Sequence, residues 1–214
     1  MSATRRLPVY ILIDTSGSMR GEPIASVNVG LQSMFSALRA DPYALESVHL
    51  TIITFDNEAR VVLPMTPLAD AQFAGVSVPD AGATFTGAAL VELISCIDRD
   101  VRHTTDIAKG DWRPLVFLMT DGGPSDLYTY RQAIPQLKAR NPGTIIACAA
   151  GPKAKKESLL ELTDRVVSLD TMDSAAFSSF FKWVSASVAA GTVSAGIVGQ
   201  TSLPPPPPEV QVVL

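Results

Sequence analysis

Four short runs of consecutive apolar residues, rich in β-branched side chains, constrain this 214-residue chain more than any other feature. They are Val9 to Ile13, Val48 to Phe55, Leu115 to Met119 and Thr144 to Ala149. A strand turns successive side chains to opposite faces, so a run that does not alternate must be covered on both sides, as parallel sheets in α/β proteins are. Helical spacing fills the gaps: Val27, Leu31, Met34, Phe35 and Leu38, then Leu90, Leu93, Ile94, Ile97 and Val101, and finally Phe177, Phe180, Phe181, Val184 and Val188. Strands alternating with helices predict an α/β sandwich, an open and mostly parallel sheet with helices on both faces. Ala59 to Pro64 follows the second run after only Asp56-Asn57-Glu58, too short a gap for a helical crossover, so it is expected to return as an antiparallel hairpin at a sheet edge. Pro135, inside the helical pattern from Tyr130 to Arg140, is expected to kink or restart that helix.

With 47% hydrophobic and 18% charged residues, the chain can build one sizeable core. We read residues 1–190 as one domain and 191–214 as a flexible tail, in which Pro204 to Pro208 form an exposed polyproline rod. Docking of the apolar end, Val210 to Leu214, on a partner or a neighbouring copy is the alternative. A net charge of −4, with no cluster of basic and aromatic residues, argues against nucleic-acid binding. Cys96 and Cys148 lie in apolar surroundings and read as two buried thiols rather than a disulfide. The first apolar run ends at Asp14 with no cleavage site after it, and the segment Val184 to Val198 is broken by Ser, Thr and Gly. No membrane insertion is expected, and the predicted location is the cytoplasm.

Three oxygen-rich runs sit at or near the ends of predicted strands: Asp14-Thr15-Ser16-Gly17-Ser18, Gly82-Ala83-Thr84-Phe85-Thr86-Gly87 and Thr120-Asp121-Gly122-Gly123. In open α/β sheets, carboxyl ends of strands are where ligands bind. Alternate residues leaving a strand can converge, with Gly17 easing the turn, so Asp14, Ser16 and Ser18 can meet Thr84 and Asp121. Two carboxylates and three hydroxyls are hard donors that suit Mg²⁺, with Mn²⁺ or Ca²⁺ as alternatives. Direct coordination by Ser16, Ser18 and Thr84, with both aspartates acting through water, would leave the cation most of its charge and a preference for an anionic sixth ligand, such as a partner's Asp or Glu. No His, Cys or Lys lies within the three runs to act as nucleophile or base, so binding is favoured over catalysis. Thr86 competes with Thr84 for the ligand role.

These residues, in this order and at these intervals, resemble the metal-ion-dependent adhesion site (MIDAS) of the von Willebrand factor A (VWA) domain family, over about Leu7 to Val188. More closely, Gly21-Glu22-Pro23-Ile24, Val27-Asn28, Ala59 to Pro64, Gly110-Asp111-Trp112-Arg113-Pro114, Phe180 to Ser185 and the proline tail are similar to bacterial TerY-like proteins of tellurite-resistance operons. The resemblance implies a six-stranded sheet with one antiparallel edge, and Asp14, Ser16, Ser18, Thr84 and Asp121 as metal ligands. It leaves Thr86 as the cap of a helix beginning near Gly87. It also implies partners: a protein kinase and a PP2C-like, metal-dependent Ser/Thr phosphatase. Gly122-Gly123-Pro124-Ser125-Asp126 departs from the expected Pro-Thr-Asp, although Ser125 keeps a hydroxyl.

Two other functions compete. A Mg²⁺-dependent phosphohydrolase of the haloacid-dehalogenase type would use Asp14 as nucleophile, but would want a second Asp where Ser16 stands. A subunit of an ATP-driven chelatase or remodelling machine would need its motor on another chain, because no phosphate-binding Gly-x-x-x-x-Gly-Lys-Ser/Thr run exists here.

Overall fold

A computed structural model describes residues 5–79, 82–194 and 203–213. In chain order the strands are β1 (Leu7–Asp14), β2 (Val48–Phe55), β3 (Ala59–Pro67), β4 (Leu115–Thr120), β5 (Thr144–Ala150), β6 (Val166–Leu169) and β7 (Gln211–Val212). The helices are α1 (Glu22–Arg39), α2 (Pro42–Ser47), α3 (Thr86–Asp100), α4 (Leu127–Ala139), α5 (Lys156–Leu162) and α6 (Ser174–Ser194). One sheet runs in the order β3-β2-β1-β4-β5-β6-β7, parallel from β2 to β6. β3 returns antiparallel on β2, as the short Asp56–Glu58 connection requires.

The four apolar runs are buried because each feeds two cores. Val9, Ile11 and Ile13 of β1, with Phe117 and Met119 of β4, meet Leu31 and Met34 of α1 and Phe177 and Phe181 of α6. Tyr10, Leu12, Val116 and Leu118 meet Leu90 and Leu93 of α3 and Tyr130 and Leu137 of α4 on the other face. Cys96 and Cys148 are buried free thiols. α4 runs through Pro135 without interruption, so the expected break does not occur. Asp41 caps α2 by accepting from the amides of Tyr43 and Ala44. Arg6 pairs with Asp111 and Arg5 stacks 3.6 Å from the Trp112 ring centre, which ties the loop before β4 to the start of β1. Among the described residues no helix is long and apolar enough to cross a membrane.

Two expectations are corrected at the far edge. The sheet has seven strands rather than six, because Val167 and Ser168 of β6 pair antiparallel with Val212 and Gln211. The proline segment is also no free rod. Val210 is only 2% exposed within the core beneath α6, Leu203 packs on that core, and the Trp183 indole N–H donates to the Pro204 carbonyl at 2.9 Å. Val213 donates its amide to Val166 and packs on the opposite core. A proline run has few conformations to lose, so a few apolar anchors suffice to hold it.

Candidate metal site

β1 and β4 are neighbours, but the chain crosses to β2 on one side of them and to β5 on the other. This is the topological switch point, where the loops leaving adjacent strands diverge and open a crevice. Asp14 ends β1 there, Asp121 follows β4, and Thr84 lies in the loop before α3.

The structure brings the five predicted residues together. Asp14 is fully buried, and its Oδ1 accepts the Ser16 amide at 2.8 Å while its Oδ2 accepts the Thr120 hydroxyl at 2.5 Å. The Ser16 and Ser18 hydroxyl oxygens are 3.3 Å apart, and Ser18 donates to Asp121 Oδ1 at 2.9 Å. Thr84 sits against the loop after Asp121: a Cβ placed on Gly122 would lie 3.2 Å from Thr84 Oγ1. Asp14, Ser16, Thr84 and Asp121 are buried and Ser18 is exposed, so the cluster opens to solvent on one side.

One oxygen separation is close to what a small cation needs. An octahedron with metal–oxygen bonds of about 2.1 Å has adjacent oxygens about 3.0 Å apart; the Ser16 and Ser18 hydroxyls at 3.3 Å are close to that edge, and Asp121 accepts from Ser18 beside them at 2.9 Å. No group of three or more His, Cys, Asp or Glu side chains lies together among the described residues, so any cation here depends on hydroxyls for part of its shell. Burial pushes the Asp14 carboxyl up to about 6; hydrogen bonds from Ser16 and Thr120 draw it down, and the charge of Asp121 adds to the rise.

Several supporting residues were not legible as such. Thr120 orients Asp14, and a Thr next to an Asp is in itself a weak signal. Asp56 does close its strand in a turn, accepting from the Asn57 amide and from Arg60, but it also contacts the Thr15 hydroxyl at 3.3 Å behind the site. Gly82 is needed there, since a Cβ would stand 2.8 Å from that of Asp56. Gly17 has room for a side chain; the left-handed backbone falls instead at Gly21, with φ of 85°.

Thr86 does not cap α3. It is the first residue of the helix, fully buried, and its hydroxyl has no partner among the described residues. Asp126 from the β4–α4 loop caps instead, accepting from the amides of Gly87 at 2.9 Å and Ala88 at 2.8 Å. Ser125 exchanges hydrogen bonds with the Thr84 backbone, its amide donating to Thr84 O and its Oγ accepting from Thr84 N. The departure from Pro-Thr-Asp thus lies where this loop is laced to Thr84. Asp126→Ala is expected to cost about 1–2 kcal/mol in urea denaturation, as loss of a helix cap does, and to loosen the Thr84 loop.

The family model described as von Willebrand factor type A domain matches residues 9–181. No curated protein sequence matches the chain. Among solved structures, proximal thread matrix protein 1 of the mussel byssus, with a zinc-occupied MIDAS motif, aligns with TM-score 0.61 and 15% identity over 86% of this chain and 47% of its own. The pilus adhesin SpaC of Lactobacillus rhamnosus GG aligns with TM-score 0.71 and 12% identity over 90% of this chain and 31% of its own. A von Willebrand factor type A protein from Catenulispora acidiphila gives TM-score 0.61 and 17% identity over 87% and 43%. This chain spans less than half the length of each, and at these identities the likeness concerns the fold. On the family match across most of its length, the chain belongs to the von Willebrand factor type A domain family.

Proposed function

We propose that this chain is a noncatalytic, metal-dependent protein-binding module. Ser16, Ser18 and Thr84 hold a divalent cation, Mg²⁺ in the first instance with Mn²⁺ or Ca²⁺ as alternatives, and Asp14 and Asp121 support it. When bound, the cation supplies a Lewis-acidic position for an Asp or Glu of a partner protein. One observation carries the reading: at the switch point the Ser16 and Ser18 hydroxyls lie 3.3 Å apart between the Asp14 and Asp121 carboxylates, with Thr84 against the loop after Asp121. The zinc-occupied MIDAS of the mussel relative supports it. We further propose a cytoplasmic scaffold that recruits a Ser/Thr kinase and a PP2C-like phosphatase in a bacterial tellurite-resistance or related stress system; that assignment rests on the sequence resemblance to TerY-like proteins.

The test is a pull-down from native lysate with wild-type and Asp14→Asn protein, each in Mg²⁺ and in EDTA, with circular dichroism to verify folding. Capture of a kinase or phosphatase only by wild type in Mg²⁺ is expected; capture indifferent to both metal and substitution contradicts the proposal.

The pH dependence follows from Asp14. Its folded value of about 6 lies above the ordinary 3.8, so the metal-free folded protein binds more protons than the unfolded chain between those values. Its contribution to stability is therefore full below about pH 4 and is lost as the pH rises through about 6. Protons compete with the cation, so titration calorimetry is expected to show Mg²⁺ affinity level above about pH 7 and falling up to about tenfold per unit below 6.

A further inference from the structure

The loop of residues 151–155, between β5 and α5, lies on the same rim as the site and supplies none of its five oxygen-bearing residues. It is fastened to the loop that carries Asp121. The Lys155 amide donates to the Gly122 carbonyl at 3.0 Å, and the Lys155 stem lies across Gly123. A Cβ on Gly123 would stand 2.5 Å from Lys155 Cγ and 2.9 Å from its Cβ, so glycine is what lets the lysine pack this closely, two residues from Asp121.

The lysines here are not held by acids. Lys155 is exposed, as is Lys153, and Lys156 is half-buried; among the described residues none of the three side chains forms an ion pair or hydrogen bond. The nearby carboxylates are engaged elsewhere. Both Asp126 oxygens hold the amides that begin α3, Asp121 accepts from Ser18, and Asp173 accepts the Ala176 amide at the start of α6. Glu157, exposed on the first turn of α5, is the remaining acid of this segment. A site whose cation calls for an anion thus has Lys155 beside it, flanked in sequence by Lys153 and Lys156, and among the described residues none of the three has a partner.

We propose that Lys155, helped by Lys153 and Lys156, is a second anchor, and that the partner is an acidic protein segment. One carboxylate of the segment meets the cation and another meets the lysines. This rests on the metal-dependent reading and narrows it, because one carboxylate alone does not distinguish among exposed acidic residues. Lys155 is then a specificity determinant, and complementary charge at such a rim acts on encounter and is screened by salt.

The test uses two synthetic peptides, one with a single Glu in a neutral sequence and the other with three further Glu residues. Fluorescence anisotropy compares wild type, Lys155→Ala, Lys155→Glu and Lys155→Arg in Mg²⁺ and in EDTA, at about 50 and 300 mM salt. In Mg²⁺ the acidic peptide is expected to bind wild type and Lys155→Arg at least about fivefold tighter than the single-Glu peptide. That preference falls to less than half in Lys155→Ala, vanishes in Lys155→Glu and shrinks in salt. No preference on wild type, or a preference that survives Lys155→Glu, overturns the second anchor and leaves the metal reading standing. Binding of both peptides that ignores EDTA instead overturns the metal reading on which it rests.

Discussion

Asp14→Asn removes the response to Mg²⁺ and leaves the fold intact. For wild type, Mg²⁺ at a hundred times its dissociation constant adds about 2.7 kcal/mol of stability, which for a domain of this size raises Tm by about 5–10 °C. The Asn variant keeps an oxygen to accept the Ser16 amide, and its NH₂ can donate to Thr120 Oγ1, which already accepts the Gly122 amide. What it loses is a charge. In the metal-free protein the buried Asp14 carboxylate is unfavourable at neutral pH, as its rise to about 6 indicates, and that rise corresponds to about 3 kcal/mol at most. Metal-free Asp14→Asn is therefore expected to melt at or above the metal-free wild type at pH 7.5, with no shift on adding Mg²⁺. Asp14→Ala loses the metal too, but leaves the Ser16 amide and the Thr120 hydroxyl without that acceptor, at about 1–3 kcal/mol each if they find no other. Differential scanning fluorimetry of the three proteins with and without Mg²⁺ separates these effects; a Mg²⁺ shift that persists in Asp14→Asn contradicts the assignment.

Deleting residues 203–214 is the second change with a large expected effect. It exposes the place of Val210, takes Leu203 and Val213 off the two cores, frees the Trp183 indole and turns β6 into an open edge. Burying one such aliphatic side chain is worth about 1.5–3 kcal/mol, and the ordering entropy that opposes it is reduced by the stiffness of Pro204 to Pro208. A net loss of about 2–4 kcal/mol is expected, read as a Tm lower by about 5–15 °C, together with a new tendency to associate through the open edge. Val210→Asp in the full chain should reproduce most of the loss. An unchanged Tm in both proteins means that these contacts contribute little to stability.

The architecture was legible wherever burial left a continuous mark. β1, β2, β4 and β5 are covered on both faces, so their runs are mostly apolar, with His49, Thr51, Thr54 and Thr144 as the exceptions, and α1, α3 and α6 carry stripes that match their buried residues. β6 was not read because four residues, Val166 to Leu169, are too few to establish a pattern. The docking of Val210 was obscured by the prolines before it, whose composition suggests solvent whether or not anchors follow. At the site, the donor residues could be named from chemistry and strand ends, but their support could not. Asp126 reaches α3 from another loop, Thr120 acts through Asp14, and Lys155 meets Gly123 across 32 positions of sequence. Thr86 shows the cost of reading a cap locally, since the amides it was expected to serve are held by a residue about forty positions away.

A cation held by Ser16 and Ser18 is tested by a crystal structure of the protein grown with Mn²⁺, with anomalous differences collected at an energy where manganese scatters anomalously. One strong peak is expected at the carboxyl ends of β1 and β4, within bonding distance, about 2.0–2.4 Å, of Ser16 Oγ and Ser18 Oγ, with Thr84 and the Asp14 and Asp121 carboxylates around it. A well-ordered cluster with no anomalous density, or density ligated by other residues, contradicts this assignment.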